Sequence, residues 1–75
     1  MRTIKASKRV VENLGYEMQR PTLIYERGLC MGYRVRIYDP ETSHCIYETC
    51  YWASAGRAAN DVAVFAEKYL KPKGE

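Results

Sequence analysis

The chain has one histidine, one tryptophan and one phenylalanine, and its three cysteines, Cys30, Cys45 and Cys50, form no C-x-x-C pair. An odd cysteine count argues against the even disulfide framework of a small secreted protein and predicts reduced thiols packed as small apolar groups. A zinc site would have to draw on Cys30, His44, Cys45 and Cys50. Cys45 and Cys50 are five apart, which on one regular strand points them to opposite faces and argues against the cluster. No G-x-S-x-G, H-E-x-x-H or phosphate-cradling glycine loop is present. His44 adjoins Cys45, but neighbours on a strand face opposite ways, so no thiol–imidazole pair forms. The expectation is a non-enzymatic chain with no cofactor.

Long apolar runs are also missing. Nothing approaches the roughly 20 residues of a membrane span, and MRTIKASKRV lacks the apolar centre of a signal peptide. These absences predict a cytoplasmic chain with no membrane partner.

What is present suits one small domain over residues 1–75. The composition is 47% hydrophobic and 28% charged, too apolar for a disordered segment. At this length a core without disulfide or metal is close to its lower limit. The net charge of +3 is uneven. Residues 1–36 carry eight basic side chains against three acidic ones, while residues 37–75 carry four against six. A basic first half suits an anionic partner.

Ile4, Val11 and Leu14 fall on one helical face, with Thr3 as N-cap and Gly15 beyond the last turn, which predicts a helix over 3–14. Its other side holds Lys5, Lys8, Arg9 and Glu12. Pro21 forces a fresh start, and TLIYER reads as a strand over 22–27. Gly28 and Gly32 bracket Leu29-Cys30-Met31 as a turn. A second strand, 32–39, alternates Tyr33, Val35 and Ile37 with Arg34, Arg36 and Tyr38. Asp39-Pro40-Glu41-Thr42-Ser43 turns the chain into a third strand, 44–52. The register with Tyr38 opposite His44 and Arg34 opposite Glu48 gathers Tyr33, Val35, Ile37, Cys45 and Tyr47 on the core face. A one-residue slip would bury Glu48.

Ser54 caps a last helix over 54–70, whose Ala55, Ala58, Ala59, Val62, Ala66, Tyr69 and Leu70 share a face. Ala63 and Phe65 flank that stripe and Val64 points to solvent. Arg57–Asp61 and Glu67–Lys71 are the expected i,i+4 pairs. The fold class is thus α+β in the order α-β-β-β-α: a three-stranded antiparallel sheet against a C-terminal amphipathic helix. Its uncovered face carries Arg34, Arg36, Tyr38, His44, Ile46 and Glu48.

Two functions fit this layout. A sheet can enter the major groove, where Arg34 and Arg36 contact base edges or phosphates and Tyr38 stacks or binds a phosphate. Arg27 and the Lys5, Lys8, Arg9 stripe are the further cationic candidates for nucleic acid. The alternative is a protein-binding adaptor or inhibitor of the kind common in phages and other mobile elements. Seven tyrosines supply amphipathic contact area for that role. Tyr33, Tyr47 and Tyr69 are expected in the core, while Tyr16, Tyr25, Tyr38 and Tyr51 are less committed. A homodimer through an exposed sheet edge is a further expectation.

The stretch GYRVRIYDPETSHCIYETCYWASAGRAANDVAVFA resembles the Arm-type DNA-binding domain of phage integrases and the related ethylene-response-factor type domain of plants. The resemblance rests on a Y-x-V-R-I strand (Tyr33, Val35, Arg36, Ile37), a polar turn, a strand ending in aromatics (Tyr51, Trp52) and a helix with an Ala58-Ala59 pair. It covers about half the chain and implies that Arg34, Arg36 and Tyr38 contact DNA. The double-stranded RNA-binding domain shares the element order, but Ser54-Ala55-Gly56-Arg57 stands where its lysine cluster would be. DNA is therefore expected ahead of RNA.

Overall fold

The computed structural model of the chain describes residues 1–73. Helix α1 (Ile4–Asn13) is followed by strands β1 (Glu17–Met18), β2 (Thr22–Glu26), β3 (Leu29–Arg34), β4 (Arg36–Tyr38) and β5 (Cys45–Glu48), then helix α2 (Ala55–Tyr69). A three-stranded antiparallel sheet has the order β1-β4-β5, and a second sheet pairs β2 with β3. The α+β class, the three-stranded sheet and the C-terminal helix are as the sequence implies. The sheet's membership differs: the expected 22–27 strand lies in the second sheet as β2, and the unexpected β1 takes its place beside β4, so among the described residues five strands, not three, lie between the helices in the chain.

Both sheets grow from one meander. Residues 17–26 run antiparallel to 29–38 with a break at Arg20-Pro21, and the Gln19 amide continues the ladder to the Arg36 carbonyl at 2.9 Å. Proline has no N–H to give a ladder, so the strand divides there. On the partner strand the division falls at Val35, whose amide is taken by the Thr49 hydroxyl at 3.1 Å. Thr49 returns its own amide to the Val35 carbonyl at 3.0 Å, which satisfies a residue only 4% exposed.

The expected 32–39 strand is therefore split and begins earlier. Leu29-Cys30-Met31 is strand, not turn. The turn is the two-residue Arg27-Gly28, where both φ values are positive, 52° and 78°. Positive φ at both central residues is the type I′ geometry that matches hairpin twist. Gly32 is a pivot instead of a turn residue. With φ at 122°, a Cβ there would lie 2.7 Å from the Trp52 carbonyl oxygen. Only glycine lets the strands approach that closely.

The third strand is ladder-paired over Cys45–Glu48, shorter than the expected 44–52, and its outer part holds on by the Tyr33–Trp52 bridge. Its register also differs. Arg36 faces Glu48 and Ile37 faces Tyr47, two residues from the expected alignment, and a bulge then sets Tyr38 against Cys45. A two-residue shift preserves which face each side chain takes, but the bulge reverses it beyond Ile37. Cys45 is accordingly exposed instead of in the core, as are Cys30 and Cys50.

The core lies between the three-stranded sheet and the helices, formed by Val11, Met18, Val35, Ile37, Ala58, Ala59, Val62 and Ala66. Full burial of each branched side chain contributes about 1.5–3 kcal/mol. Thr3 Oγ1 accepts the Ala6 amide at 3.0 Å and Ser54 Oγ accepts the Arg57 amide at 3.2 Å, so both helices start at their expected caps. Helix α1 packs on α2 as well as on β1. That second contact buries Ala63, placed outside the core stripe by the sequence, and Ser7. It leaves Tyr69, expected in the core, 69% exposed, and Ile4 39% exposed. The i,i+4 pairs are replaced by longer-range ones: Glu67 binds Arg2, and Asp61 turns to the sheet.

The segment after α2 folds back across the α1–β1 turn. The Lys73 amide donates to the Leu14 carbonyl at 2.9 Å, and its ammonium pairs with Asp39 and, at 3.5 Å, with Glu41. Lys73 holds the Asp39 carboxyl below its ordinary range, chiefly by hydrogen bonding, and Asp39 raises Lys73 in turn.

Candidate functional site

Arg36 and Tyr38 lie on the face of β4 turned from the helices, and Arg34 at the end of β3 joins them on the same side, as their alternation requires. Glu48 stands between the two arginines. Its Oε1 is 2.9 Å from Arg34 Nη1, and its Oε2 is 3.4 Å from Arg36 Nε. Arg36 also donates from Nη1 to the Tyr38 hydroxyl at 3.5 Å, and this bond, followed by Glu48, raises its pKa. The Arg36 Nε–H is itself buried with no aligned acceptor, because the 3.4 Å ion pair is poorly directed. Two guanidiniums share the Glu48 carboxylate, and Glu17, paired opposite Tyr38 on the same face, adds a second carboxylate, so these groups sum to no net charge. Both arginine side chains are half-buried, at 22% and 32% exposure.

The other cationic candidates lie elsewhere. Arg27 is at the tip of the β2–β3 turn. Lys5, Lys8 and Arg9 line the exposed side of α1, in the helical layer behind the sheet. The seven residues thus occupy three places in the fold, and only Arg34, Arg36 and Tyr38 share one.

A different surface is formed by the hairpin β2–β3. The molecule is elongated, 44 × 28 × 17 Å. Register places Tyr25 opposite Cys30 on one face and Glu26 opposite Leu29 on the other. The Tyr51 hydroxyl donates to Glu26 Oε1 at 2.9 Å, which lays that ring beside the Leu29 face and raises the tyrosine pKa. Leu29 is 68% and Tyr25 61% exposed, with Met31 and Tyr51 nearly 40%. The hairpin is thus apolar on both faces, whereas a sheet that simply ends in water is polar on one. In the sequence Leu23-Ile24-Tyr25 and Leu29-Cys30-Met31 are apolar at both strand parities, the mark of a hairpin with two apolar faces, which the expectation of a strand followed by a turn missed.

Behind the sheet, Asp61 of α2 joins three elements. Its Oδ1 accepts the Tyr47 hydroxyl and its Oδ2 the Trp52 indole N–H, each at 2.8 Å. Tyr47 stacks on Phe65 with centroids 3.8 Å apart. Burial, with Asp61 second, pushes the Tyr47 hydroxyl up to about 12. Trp52 and Asp61 also line an open depression of about 370 Å³ with Met1, Arg57, Asn60 and Val64. Among the described residues no group of three or more His, Cys, Asp or Glu side chains is placed to hold a metal ion. Among the described residues no helix is long and apolar enough to cross a membrane.

No family model, no curated protein and no solved structure matches the chain.

Proposed function

We propose that the chain is a non-enzymatic protein-binding module that docks through the β2–β3 hairpin. One observation carries the reading: large apolar side chains on both faces of a two-stranded hairpin that the core does not cover. An isolated hairpin is marginal in water, and a clustered apolar surface marks a contact site. Tyrosine, leucine and methionine around a small polar centre, here Glu26 with Tyr51, match the composition of interface cores. An adaptor or inhibitor of a larger protein is the role such a module performs.

The test is proximity crosslinking from a photoreactive side chain at Leu29, with Leu29→Asp and Tyr25→Asp as competitors in partner capture. Competition that abolishes the crosslink with the unlabelled wild-type chain but with neither variant, at mild salt dependence, is the expected result. Competition by both variants as effective as the wild type overturns the reading.

A second reading keeps the sheet face as a DNA-binding surface, supported by the convergence of Arg34, Arg36 and Tyr38 and by the resemblance to the integrase and ethylene-response-factor type domains. Anisotropy of labelled duplex DNA tests it: micromolar binding that falls steeply with salt supports it, and no binding at low salt removes it.

A further inference from the structure

The outer edge of β2 is the feature that the hairpin reading leaves without a use. Its sheet has two strands, so among the described residues β2 pairs with β3 on one side and with no strand on the other. The usual guards of an open edge are lysine, an internal proline, a bulge or an inward charge. Strand β2, Thr22-Leu23-Ile24-Tyr25-Glu26, has no lysine and no internal proline. The irregularity between Ile24 and Tyr25 is on β3, where Met31 is the extra residue, so the β2 edge is regular.

Resting on the reading of the hairpin as the contact surface, we propose that β2 pairs antiparallel with β2 of a second copy of this chain. A two-fold axis perpendicular to the sheet must place side chains of one face together, which admits only alignments centred on a residue. Centring on Ile24 engages all five residues. It sets Leu23 against Tyr25 of the second copy twice over, an aliphatic–aromatic pair on the face where Tyr25 is 61% exposed. It also sets Glu26 against Thr22, keeping the two Glu26 carboxylates apart at the ends of the ladder. The apolar pattern is thus complementary to itself in this register, and no like charges meet. A shift of two residues toward Glu26 would bring Arg27 against Leu23 and shorten the overlap. The product is a continuous four-stranded sheet, β3-β2-β2-β3, with the Leu29 and Tyr51 faces of both copies on one side. A partner docking there meets a doubled surface.

Sedimentation velocity of the full chain across the micromolar range tests the pairing. The expected result is a rise from the 8.7 kDa monomer to twice that mass. Tyr25→Lys, at an exposed position and checked by circular dichroism, should weaken the dimer about tenfold or more. The register is tested with Ile24→Cys in a chain whose Cys30, Cys45 and Cys50 are replaced by serine. Mild oxidation should link two copies through position 24, and the same chain with Arg57→Cys instead should not link. A monomer at every concentration, or a dimer indifferent to Tyr25→Lys, overturns the pairing. Either result leaves the hairpin's binding of another protein standing, since that is read separately from the Leu29 crosslink.

Discussion

Asp61→Ala removes the acceptor that ties β5 and its extension to α2. Two donors lose their partner at once, the Tyr47 hydroxyl and the Trp52 indole, both at 2.8 Å. A hydrogen bond to a charged group contributes about 1.5–3 kcal/mol, and both donors are half-buried, so water reclaims part of the loss. The net cost is about 3 kcal/mol. For a chain of this length each kcal/mol moves Tm by about 4–8 °C, so a fall of roughly 12–24 °C is expected. Asp61→Asn keeps one carbonyl acceptor and should cost about half as much, giving the order wild type, Asn, Ala. Trp52 is the only tryptophan, so urea unfolding followed by its fluorescence reads the affected joint directly. In a double-mutant cycle Tyr47→Phe should cost much less in the Ala background than in the wild type. Asp61→Ala within about 0.5 kcal/mol of wild type, the level of an ordinary surface substitution, would refute the reasoning.

The same joint governs alkaline behaviour. Tyr47 titrates in the folded chain at about 12, above the ordinary value of 10.0. The folded state therefore holds this proton more tightly than the unfolded chain does. Its stabilisation is complete below about pH 10 and is lost as pH rises towards 12; phenolate absorbance should show Tyr47 ionising late, alongside the also raised Tyr51, and only the Tyr47 step should come earlier in Asp61→Asn. Ser7 is fully buried and its hydroxyl has no partner among the described residues, so Ser7→Ala should raise stability by about 1 kcal/mol in urea melts. Gly32→Ala meets both a φ of 122° and the Trp52 carbonyl, and should cost about 2 kcal/mol or more, the larger part as lost Tyr33–Trp52 bridging. Reversing Arg34 and Arg36 to Glu places three carboxylates around position 48. That variant should be destabilised, and Glu48→Lys added to it should restore most of the loss.

The helices were the most legible part of the sequence because their determinants are local. Thr3 and Ser54 cap them, and the alanines of α2 mark its sheet-facing side. What escaped was the packing of α1 on α2, which no single-helix period reveals, and so Ala63 and Tyr69 exchanged places relative to expectation. The sheet faces were legible through alternation, which is why Arg34, Arg36 and Tyr38 do share a face. The register was not, because the bulge beyond Ile37 depends on how the Asp39–Ser43 turn closes, with Ser43 at a φ of 62°. The hairpin tip was hidden for a similar reason: its turn places Arg27, not a second glycine, at positive φ. Glu48 was seen as a partner of Arg34, but its reach to Arg36 follows only from the two-residue shift. Asp61 is legible only as an i,i+4 partner of Arg57, since Tyr47 and Trp52 come to it from 14 and 9 residues away.

The interruption at Val35 divides one strand between two environments. Towards Tyr38 its amides lie within a sheet backed by the helices; towards Leu29 they belong to a hairpin that the core does not cover. Opening the first requires the whole chain to unfold, whereas opening the second releases little buried surface. Amide hydrogen exchange along residues 29–38 should accordingly step at Val35, from rapid local fraying to the slow rate of global unfolding. A single strand then reports two free energies, and a ligand on the hairpin would slow the outer half while leaving the inner half unchanged.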